Sequence, residues 1–274
     1  MKKILSFLLI MMLLLSAFSY TALSEEPGQG EVILFDIEEE SVAELMEEAE
    51  EEPFIPESVE KAIFGKDDRV RIYDTSRFPY SAIAYMEVQG ECGDSWTGSG
   101  FMVGKDRLLT AAHCLVCTKH GKWAKGITFY FGYKTHKNYL YRYNDRWTAW
   151  AGNVFSNKNY TTNGDFGCIK LSKNVGDVTG WLGSRWALTD STVASTYCYY
   201  AGYRDGVLRY DSGLPWVLSS EHIAFTMDTQ PGNSGGPIFD ANYYAVGIII
   251  AHNDQYNIGY RLTTNVETKL DNLK

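Results

Sequence analysis

The segment from Pro231 to Pro237, which reads Pro-Gly-Asn-Ser-Gly-Gly-Pro, constrains this chain more than any other part of its sequence. Its three glycines and two prolines favour a tight turn over a helix or a central strand. The one serine, Ser234, has small neighbours, so that a substrate carbonyl can approach it closely. The segment therefore predicts a tight loop that presents a nucleophile, although taken alone it is equally typical of a plain surface turn.

Two upstream segments supply the groups that a serine nucleophile needs. Residues 110–114 read Thr-Ala-Ala-His-Cys, and residues 163–169 read Asn-Gly-Asp-Phe-Gly-Cys-Ile. A serine hydroxyl attacks poorly until a base removes its proton, and a carboxylate holds a histidine base in the right tautomer. His113 follows a strand-like run and Asp165 opens an apolar run, which would place both at strand ends. The sequence therefore predicts a triad of His113, Asp165 and Ser234.

Neighbours of the triad complete the predicted chemistry. The backbone N–H groups of Gly232 and Ser234 are predicted to donate to the oxyanion of a tetrahedral intermediate. Asp145 is an alternative partner for His113, but it lacks the apolar strand pattern that adjoins Asp165. Acyl transfer of this kind needs no metal ion and no organic cofactor.

The chain after about Val70 has the pattern of an all-β protein. Short runs rich in Tyr, Val, Ile, Thr and Trp alternate with clusters of Gly, Asn, Asp and Ser, as in a sandwich or a barrel. The predicted strands are 82–89, 99–103, 127–133, 166–171, 197–203, 237–239 and 245–251. Clear helical periodicity is confined to residues 266–273, which predicts a C-terminal helix.

The first 61 residues differ in composition from the remainder. Lysines precede an apolar run over 4–15, and small residues follow near position 24, which predicts a signal peptide over 1–24 and a secreted protein. The apolar run is short for a membrane span. Residues 25–61 contain 15 acids and one base and are predicted to be a pro-region. An acidic tail that stays attached is the alternative.

The predicted domain spans residues 62–274. It contains 19 acids and 22 bases, whereas the whole chain has a net charge of −9. The negative charge therefore belongs to the leader, and the domain itself is mildly basic. This balance gives no indication of nucleic-acid binding, and it does not oppose an acidic substrate.

Five cysteines follow the predicted signal peptide: Cys92, Cys114, Cys117, Cys168 and Cys198. Disulfides are expected outside the cell, but the odd number leaves at least one thiol unpaired. Cys114 and Cys117 have the C-x-x-C spacing without a second such pair, which favours a local or nearby disulfide over metal or redox chemistry. Cys168 lies in an apolar strand pattern and is predicted to be a buried free thiol.

The segments around His113 and Ser234 resemble those of the trypsin-like serine proteases. Four further segments resemble one branch, the bacterial glutamyl endopeptidases: Asp67-Asp68-Arg69, Pro79-Tyr80-Ser81-Ala82-Ile83, Met227-Asp228-Thr229 and Ala251-His252-Asn253. The resemblance covers about residues 62–274. It is strong at these motifs and weak over residues 118–161.

The resemblance implies a chymotrypsin-like fold of two six-stranded antiparallel β-barrels, with the triad in the cleft between them. It implies cleavage of proteins and peptides after Glu, less readily after Asp, by a monomer that uses no nucleic acid and no membrane. The family holds the substrate carboxylate with a threonine and a histidine, which match Thr229 and His252. Both side chains can donate to a carboxylate.

The family's mature N-terminal amine also lies near that pocket, and the matching residue here is Ala62. The resemblance therefore implies an inactive precursor that is cleaved between Lys61 and Ala62, which frees the amine and removes the acidic leader. Cleavage one residue earlier, after Glu60, would permit self-processing.

Two residues depart from the family patterns. Asn233 replaces the aspartate that precedes the serine in animal digestive enzymes, so activation through a salt bridge to that aspartate is not expected. Gly98 stands where some members have a cysteine that pairs with the one after the catalytic histidine; Cys92 and Cys117 are alternative partners for that cysteine. A protease of other specificity and a catalytically silent binding protein of the same fold remain as alternative functions.

Overall fold

Two β-sheets make up most of the structure, a computed structural model that describes residues 63–156 and 159–273. The predicted signal peptide, the predicted pro-region and Ala62 lie outside the described residues. Within the described ranges, no helix has the length and apolar composition of a membrane span.

Strands are the main element of the described chain. They are β1 (Val70–Arg71), β2 (Ile83–Gly90), β3 (Ser95–Met102), β4 (Arg107–Thr110), β5 (Ala124–Phe131), β6 (Tyr141–Tyr143), β7 (Trp147–Ala151), β8 (Phe155–Ser156), β9 (Asn159–Tyr160), β10 (Gly167–Leu171), β11 (Gly183–Ser184), β12 (Cys198–Arg204), β13 (Val207–Gly213), β14 (Trp216–Val217), β15 (His222–Phe225), β16 (Pro237–Asp240), β17 (Tyr244–His252) and β18 (Asn257–Arg261). The helices are short: 3₁₀ turns at Tyr80–Ala82 and Ala112–Cys114, and α-helices at Gly176–Thr179, Asp190–Ser195 and Thr264–Asp271.

The N-terminal sheet has seven strands in the order β6-β5-β2-β3-β4-β10-β7. Its strand β2 pairs antiparallel with β3 on one side and with β5 on the other. The aromatic and branched side chains that are typical of strands fill its interior, and Phe101, Phe129, Phe131 and Ile169 are fully buried there. The last residue of β4, Thr110, lies opposite the first residue of β10, Gly167, because the two strands pair antiparallel.

The C-terminal sheet has nine strands, eight of them in the order β1-β13-β12-β16-β17-β18-β15-β14, with β11 beside β17. All of its pairs are antiparallel except β11 with β17. A second cluster of buried side chains, which includes Tyr200, Phe225, Ile238 and Ile249, packs against this sheet. The larger cluster of buried side chains draws on both sheets and includes Phe101 of β3 and Ile248 of β17. The two antiparallel sheets confirm the predicted chymotrypsin-like class, and short edge strands account for more than six strands in each.

The C-terminal helix, Thr264–Asp271, leaves the second sheet and packs on the first. Val266 and Leu270 are buried, and the Cys168 thiol of β10 lies 3.7 Å from the Val266 carbonyl oxygen. Lys269 places its ammonium 5.0 Å from the centre of the Trp150 ring. The helix therefore connects the two halves of the fold, and the predicted helix is confirmed with its start two residues earlier.

The predicted strands are all present, with ends displaced by a few residues. The strands that the pattern missed are mainly β6, β7, β13, β15 and β18. β13 is partly exposed at almost every position, so that polar residues interrupt its apolar alternation. β18 contains Gly259 opposite Ile249, where a Cβ would overlap Ile238. A close approach in the tertiary structure is what requires glycine there, and a single sequence does not reveal it.

Candidate active site

His113 lies in the 3₁₀ turn that follows β4. Ala111, which precedes this turn, and Ala112, which begins it, are both fully buried. The Thr110 hydroxyl donates to the Ser99 carbonyl at 2.7 Å and ties the end of β4 to β3. The small residues of the Thr-Ala-Ala-His-Cys segment thus let the packed end of β4 continue directly into the turn that carries His113.

Asp165 precedes β10 and is fully buried. Its Oδ2 lies 2.7 Å from His113 Nδ1, and its Oδ1 accepts the backbone N–H of His113 at 3.0 Å. Two contacts from one carboxylate fix both the turn and the ring. Asp145, the alternative partner, instead pairs with Lys173 at 3.0 Å on the surface.

The electrostatics of this pair set the protonation of the imidazole. Burial disfavours the charged ring, but the Asp165 carboxylate overcomes it, so that the pKa of His113 is raised well above its ordinary value. A neutral base is therefore present only on the alkaline side of that raised pKa.

Ser234 lies in the loop between β15 and β16. Gly235 has a φ of +84°, and a Cβ there would overlap the Ser99 carbonyl and the Thr110 hydroxyl. Gly232 has a φ of +99°. Glycine is thus required by conformation and by contact, which confirms the tight turn that the sequence predicts.

Asn233, the departure from the digestive enzymes, is a structural residue of this loop. Its side chain is fully buried, accepts the Gln230 N–H at 2.7 Å and donates to the Tyr203 carbonyl at 3.1 Å. An amide can do both at once, whereas an ionised aspartate only accepts.

Ser99 is a residue of the site that the sequence analysis missed. Its buried hydroxyl donates to the Gly232 carbonyl at 2.9 Å and accepts the Tyr203 N–H at 2.9 Å. Its own N–H donates to the Ser234 carbonyl at 2.8 Å. One side chain of the first sheet therefore holds the serine loop of the second, and its Gly-Ser-Gly setting was the only signal.

A cavity of about 380 Å³ joins these groups to the expected specificity residues. His113, Ser234, Thr229 and His252 line it together, although the first and the last are 139 positions apart in the chain. His252 ends β17 and is partly exposed. The sequence analysis did not identify two other lining residues, Thr118 and Gln230.

Thr229 differs from the expected role in one respect. Its hydroxyl donates to Asn257 Oδ1 at 2.8 Å. The Asn257 amide nitrogen donates to the Met227 carbonyl at 2.6 Å, which fixes the amide with its oxygen towards Thr229. The threonine proton is therefore engaged, and the hydroxyl can donate to a ligand in the cavity only after it rotates away from Asn257.

Asp228 is a buried carboxylate beside this pocket. Its Oδ1 accepts the Phe64 N–H at 2.6 Å, while its buried Oδ2 has no hydrogen-bond donor among the described residues. Burial raises the pKa of Asp228, and the backbone N–H groups of Phe64 and Asp68 oppose that shift. Ala62 itself lies outside the described residues, but Phe64, two residues later, lies at this carboxylate.

The five cysteines are free thiols in this structure, so a disulfide stays a prediction. A Cβ on Gly98 would lie 2.8 Å from Cys114 Sγ, which agrees with the family pairing that Gly98 removes. The Cys114 thiol lies 3.4 Å from the Ser234 carbonyl oxygen. Cys168 is the expected buried thiol, and burial raises its pKa to about 12.

Cys92 and Cys117 lie in one cluster with Asp94 and His120. Among the described residues, this cluster is the group of side chains whose spacing suits a metal ion. It contains neither His113 nor Asp165, so the expected triad is separate from it.

Comparison with known proteins shows the family to which this chain belongs. The family described as "Trypsin-like peptidase domain" matches residues 98–248. An extracellular metalloprotease of Bacillus subtilis (strain 168) is 30% identical over 218 residues, which cover 75% of this chain and 67% of that protein. A glutamyl endopeptidase of Bacillus licheniformis is 29% identical over 232 residues, which cover 78% of this chain and 69% of that protein. A solved structure of a Glu endopeptidase in complex with MPD matches with a TM-score of 0.67 at 22% identity, over 76% of this chain and 97% of that one.

Proposed function

Because this chain belongs to the trypsin-like peptidase family and is a serine endopeptidase, we propose that it is secreted and cleaves proteins and peptides after Glu, less readily after Asp. The observation that carries the proposal is the 2.7 Å pair of His113 Nδ1 and Asp165 Oδ2, beside a cavity that Ser234, Thr229 and His252 also line.

Ser234 is the nucleophile in this proposal. His113 takes the hydroxyl proton as the serine oxygen attacks the scissile carbonyl carbon, and Asp165 stabilises the imidazolium that forms. The imidazolium then gives its proton to the leaving amine, and water hydrolyses the acyl-enzyme by the same route. The N–H groups of Gly232 and Ser234 donate to the oxyanion, each worth roughly a hundred- to a thousandfold in turnover.

Glu preference is supported by the lining of the cavity. None of the described residues that line it is acidic, and His252 supplies a donor that becomes a cation when protonated. The engaged proton of Thr229 makes His252 the principal donor to a substrate carboxylate. One of the reported relatives is named a glutamyl endopeptidase, which supports the same preference.

The test is hydrolysis of matched chromogenic peptides that end in Glu, Gln, Asp, Phe or Lys. We expect a strong preference for Glu over the isosteric Gln. His252→Ala should reduce kcat/KM for Glu peptides about 10- to 100-fold, the worth of a hydrogen bond to a charged group, and spare Gln peptides. The control His136→Ala removes an exposed imidazole outside the lining and should change neither.

Ser234→Ala separates the proposed chemistry from specificity. Turnover should fall by roughly a factor of a million, as in the serine-protease series on which that figure is based. If the wild type cleaves after another residue, the triad survives and the pocket assignment fails. If the processed protein cleaves nothing, the chain is the catalytically silent binding protein instead.

The precursor is the second part of the proposal. A cut between Lys61 and Ala62 creates an ammonium two residues before Phe64, whose N–H already meets Asp228. Two residues span at most about 7 Å, so the new amine can reach the buried Oδ2 that lacks a donor among the described residues. An uncut chain has an amide there and no positive charge.

A further inference from the structure

Four metal-ligating side chains from two loops converge at one end of the first sheet. Cys92 and Asp94 come from the turn between β2 and β3, and Cys117 and His120 come from the segment after the His113 turn. Their ligand atoms all lie within 4.8 Å of one another. We propose that these four residues bind one Zn²⁺ ion in a structural site that fixes the loop beside the active site.

Three of the four ligand atoms have spacings close to those of a tetrahedral zinc site. Cys117 Sγ lies 3.4 Å from His120 Nδ1 and 3.9 Å from Asp94 Oδ2, and those two atoms are 3.5 Å apart. Zinc bonds of about 2.3 Å to sulfur and about 2.0 to 2.2 Å to nitrogen and oxygen give tetrahedral edges of about 3.3 to 3.8 Å. The three measured spacings are close to these edges, and Cys92 Sγ lies within 4.8 Å of each of the other three ligand atoms.

The backbone holds both arms in place before any ion binds. In the first arm, the Gly90 N–H donates to the Asp94 carbonyl at 2.8 Å, and Gly93 turns with a φ of +90°. In the second, the Cys117 N–H donates to the Lys122 carbonyl at 2.8 Å. The Glu91 N–H donates to the Trp123 carbonyl at 2.9 Å and joins the two arms.

The donor set selects the metal. Two thiolates and one imidazole favour zinc, whereas Ca²⁺ and Mg²⁺ take oxygen ligands. Four protein ligands close the coordination shell, which is typical of a structural ion and leaves no position for an activated water. The exposed sides of Asp94 and His120 give the ion a way in.

The C-x-x-C spacing of Cys114 and Cys117 is thus misleading. Cys114 turns towards the Ser234 carbonyl, while Cys117 turns towards His120. The relevant sequence pattern is C-x-D in one loop and C-x-x-H in the other. The proposed ion does not touch the triad, so the acyl transfer expected there still uses no metal ion.

The ion acts on the active site through the chain. Thr118, which follows the ligand Cys117, lines the catalytic cavity, and His113 lies four residues before that ligand. The Ala124 N–H also donates to the Leu115 carbonyl at 2.8 Å within the same loop. Loss of the ion would release Thr118 and loosen the turn that carries the histidine.

A disulfide between Cys92 and Cys117 would use the same two sulfurs, so the two states exclude each other. The test measures zinc per full-length chain by mass spectrometry of the metal, together with thiol alkylation and intact mass without reductant. We expect one zinc per chain and two thiols that alkylate only after a chelator is added. A mass two units lower, with no zinc, would establish the disulfide and overturn the proposal.

Variants with the sulfurs intact keep the test independent of folding. His120→Ala and Asp94→Asn change exposed side chains and should weaken zinc binding at least 10- to 100-fold, the range found even for outer-shell partners. His136→Ala is the control, because His136 also pairs with a carboxylate, Glu87, at 2.6 Å. Zinc affinity that is unchanged in His120→Ala, or reactive thiols in a zinc-free wild type, would overturn the site.

Discussion

At the scale of single residues, the site depends on buried polar groups that satisfy two partners at once. Asp165 hydrogen-bonds to both the ring and the backbone N–H of His113. The Ser99 hydroxyl hydrogen-bonds to the Gly232 carbonyl and to the Tyr203 N–H. Removing either side chain leaves a buried partner without its hydrogen bond, which costs more than the bond itself contributes. These residues therefore give the sharpest mutational signals.

Asp165→Asn should shift the pH dependence of activity. The proposed base works only as neutral imidazole, so kcat/KM falls as the pH drops through the raised pKa of His113. Losing the carboxylate charge lowers that pKa and moves the acid limb to lower pH, while the plateau falls about 10⁴-fold. The measurement is kcat/KM over a pH range that spans the acid limb. Asp145→Asn, at the surface, is the control; an unmoved acid limb in Asp165→Asn would contradict the pairing.

Ser99→Ala should destabilise the fold by about 1 to 3 kcal/mol, because the buried Tyr203 N–H loses its acceptor. Denaturant unfolding gives the free energy of unfolding directly. Ser195→Ala is the matched control, since Ser195 is exposed and its change should stay within about 0.5 kcal/mol. Equal losses in the two variants would show that the Ser99 bridge contributes little.

At the scale of elements, strand ends and the turns after them carry the chemistry. β4 leads to His113, the turn before β10 holds Asp165, and β17 ends at His252. The strands fix these positions through paired backbones, while the turns stay free to present side chains. β3 contacts two of these turns. Its Gly98 packs against Cys114, and the N–H of its Ser99 donates to the Ser234 carbonyl.

Gly98→Cys should form a disulfide with Cys114. A Cβ at position 98 would lie 3.5 Å from Cys114 Cβ, within the range of about 3.5 to 4.5 Å for a disulfide. Closing the loop of about 15 residues between them should add about 3 kcal/mol to the free energy of unfolding. Intact mass and unfolding with and without reductant measure this. Gly98→Ala separates the effect of the side chain; a Gly98→Cys variant whose new thiol stays unpaired would contradict the geometry.

At the scale of the whole molecule, the proposed site draws on both sheets. His113 and Asp165 come from the first, and Ser234, Thr229 and His252 come from the second. The segment around Phe64 also contacts the site, because the Phe64 N–H donates to Asp228 beside the pocket. We therefore expect a change that strengthens the contact of this segment with Asp228 to affect the neighbouring pocket.

Activation should depend on the exact start of the processed chain. A chain that begins at Ala62 should exceed one that carries a few extra residues by about 10- to 100-fold in kcat/KM on Glu peptides, the worth of pairing the ammonium with Asp228. Asp228→Asn should abolish the difference, whereas Asp254→Asn, at the surface, should keep it. Equal activity of the two starts in the wild type would refute the role of the amine.

The sequence by itself determined the all-β class, the C-terminal helix and the tight turn around Ser234, and it predicted the three residues of the triad. These are local properties: apolar alternation, turn residues and short motifs with a defined chemistry. The sequence missed β13 and β18, because half-exposed strands and glycines hide the alternation. The leader and Ala62 lie outside the described residues, so those expectations stay predictions.

Only the tertiary structure decided which distant groups meet. It brought Ser99 under the serine loop, engaged the Thr229 proton with Asn257, and separated Cys114 from Cys117. No local pattern encodes such contacts, because they form only when packing brings together residues that are far apart in the chain. The chain thus carries its chemistry in short segments, and packing decides what each group touches.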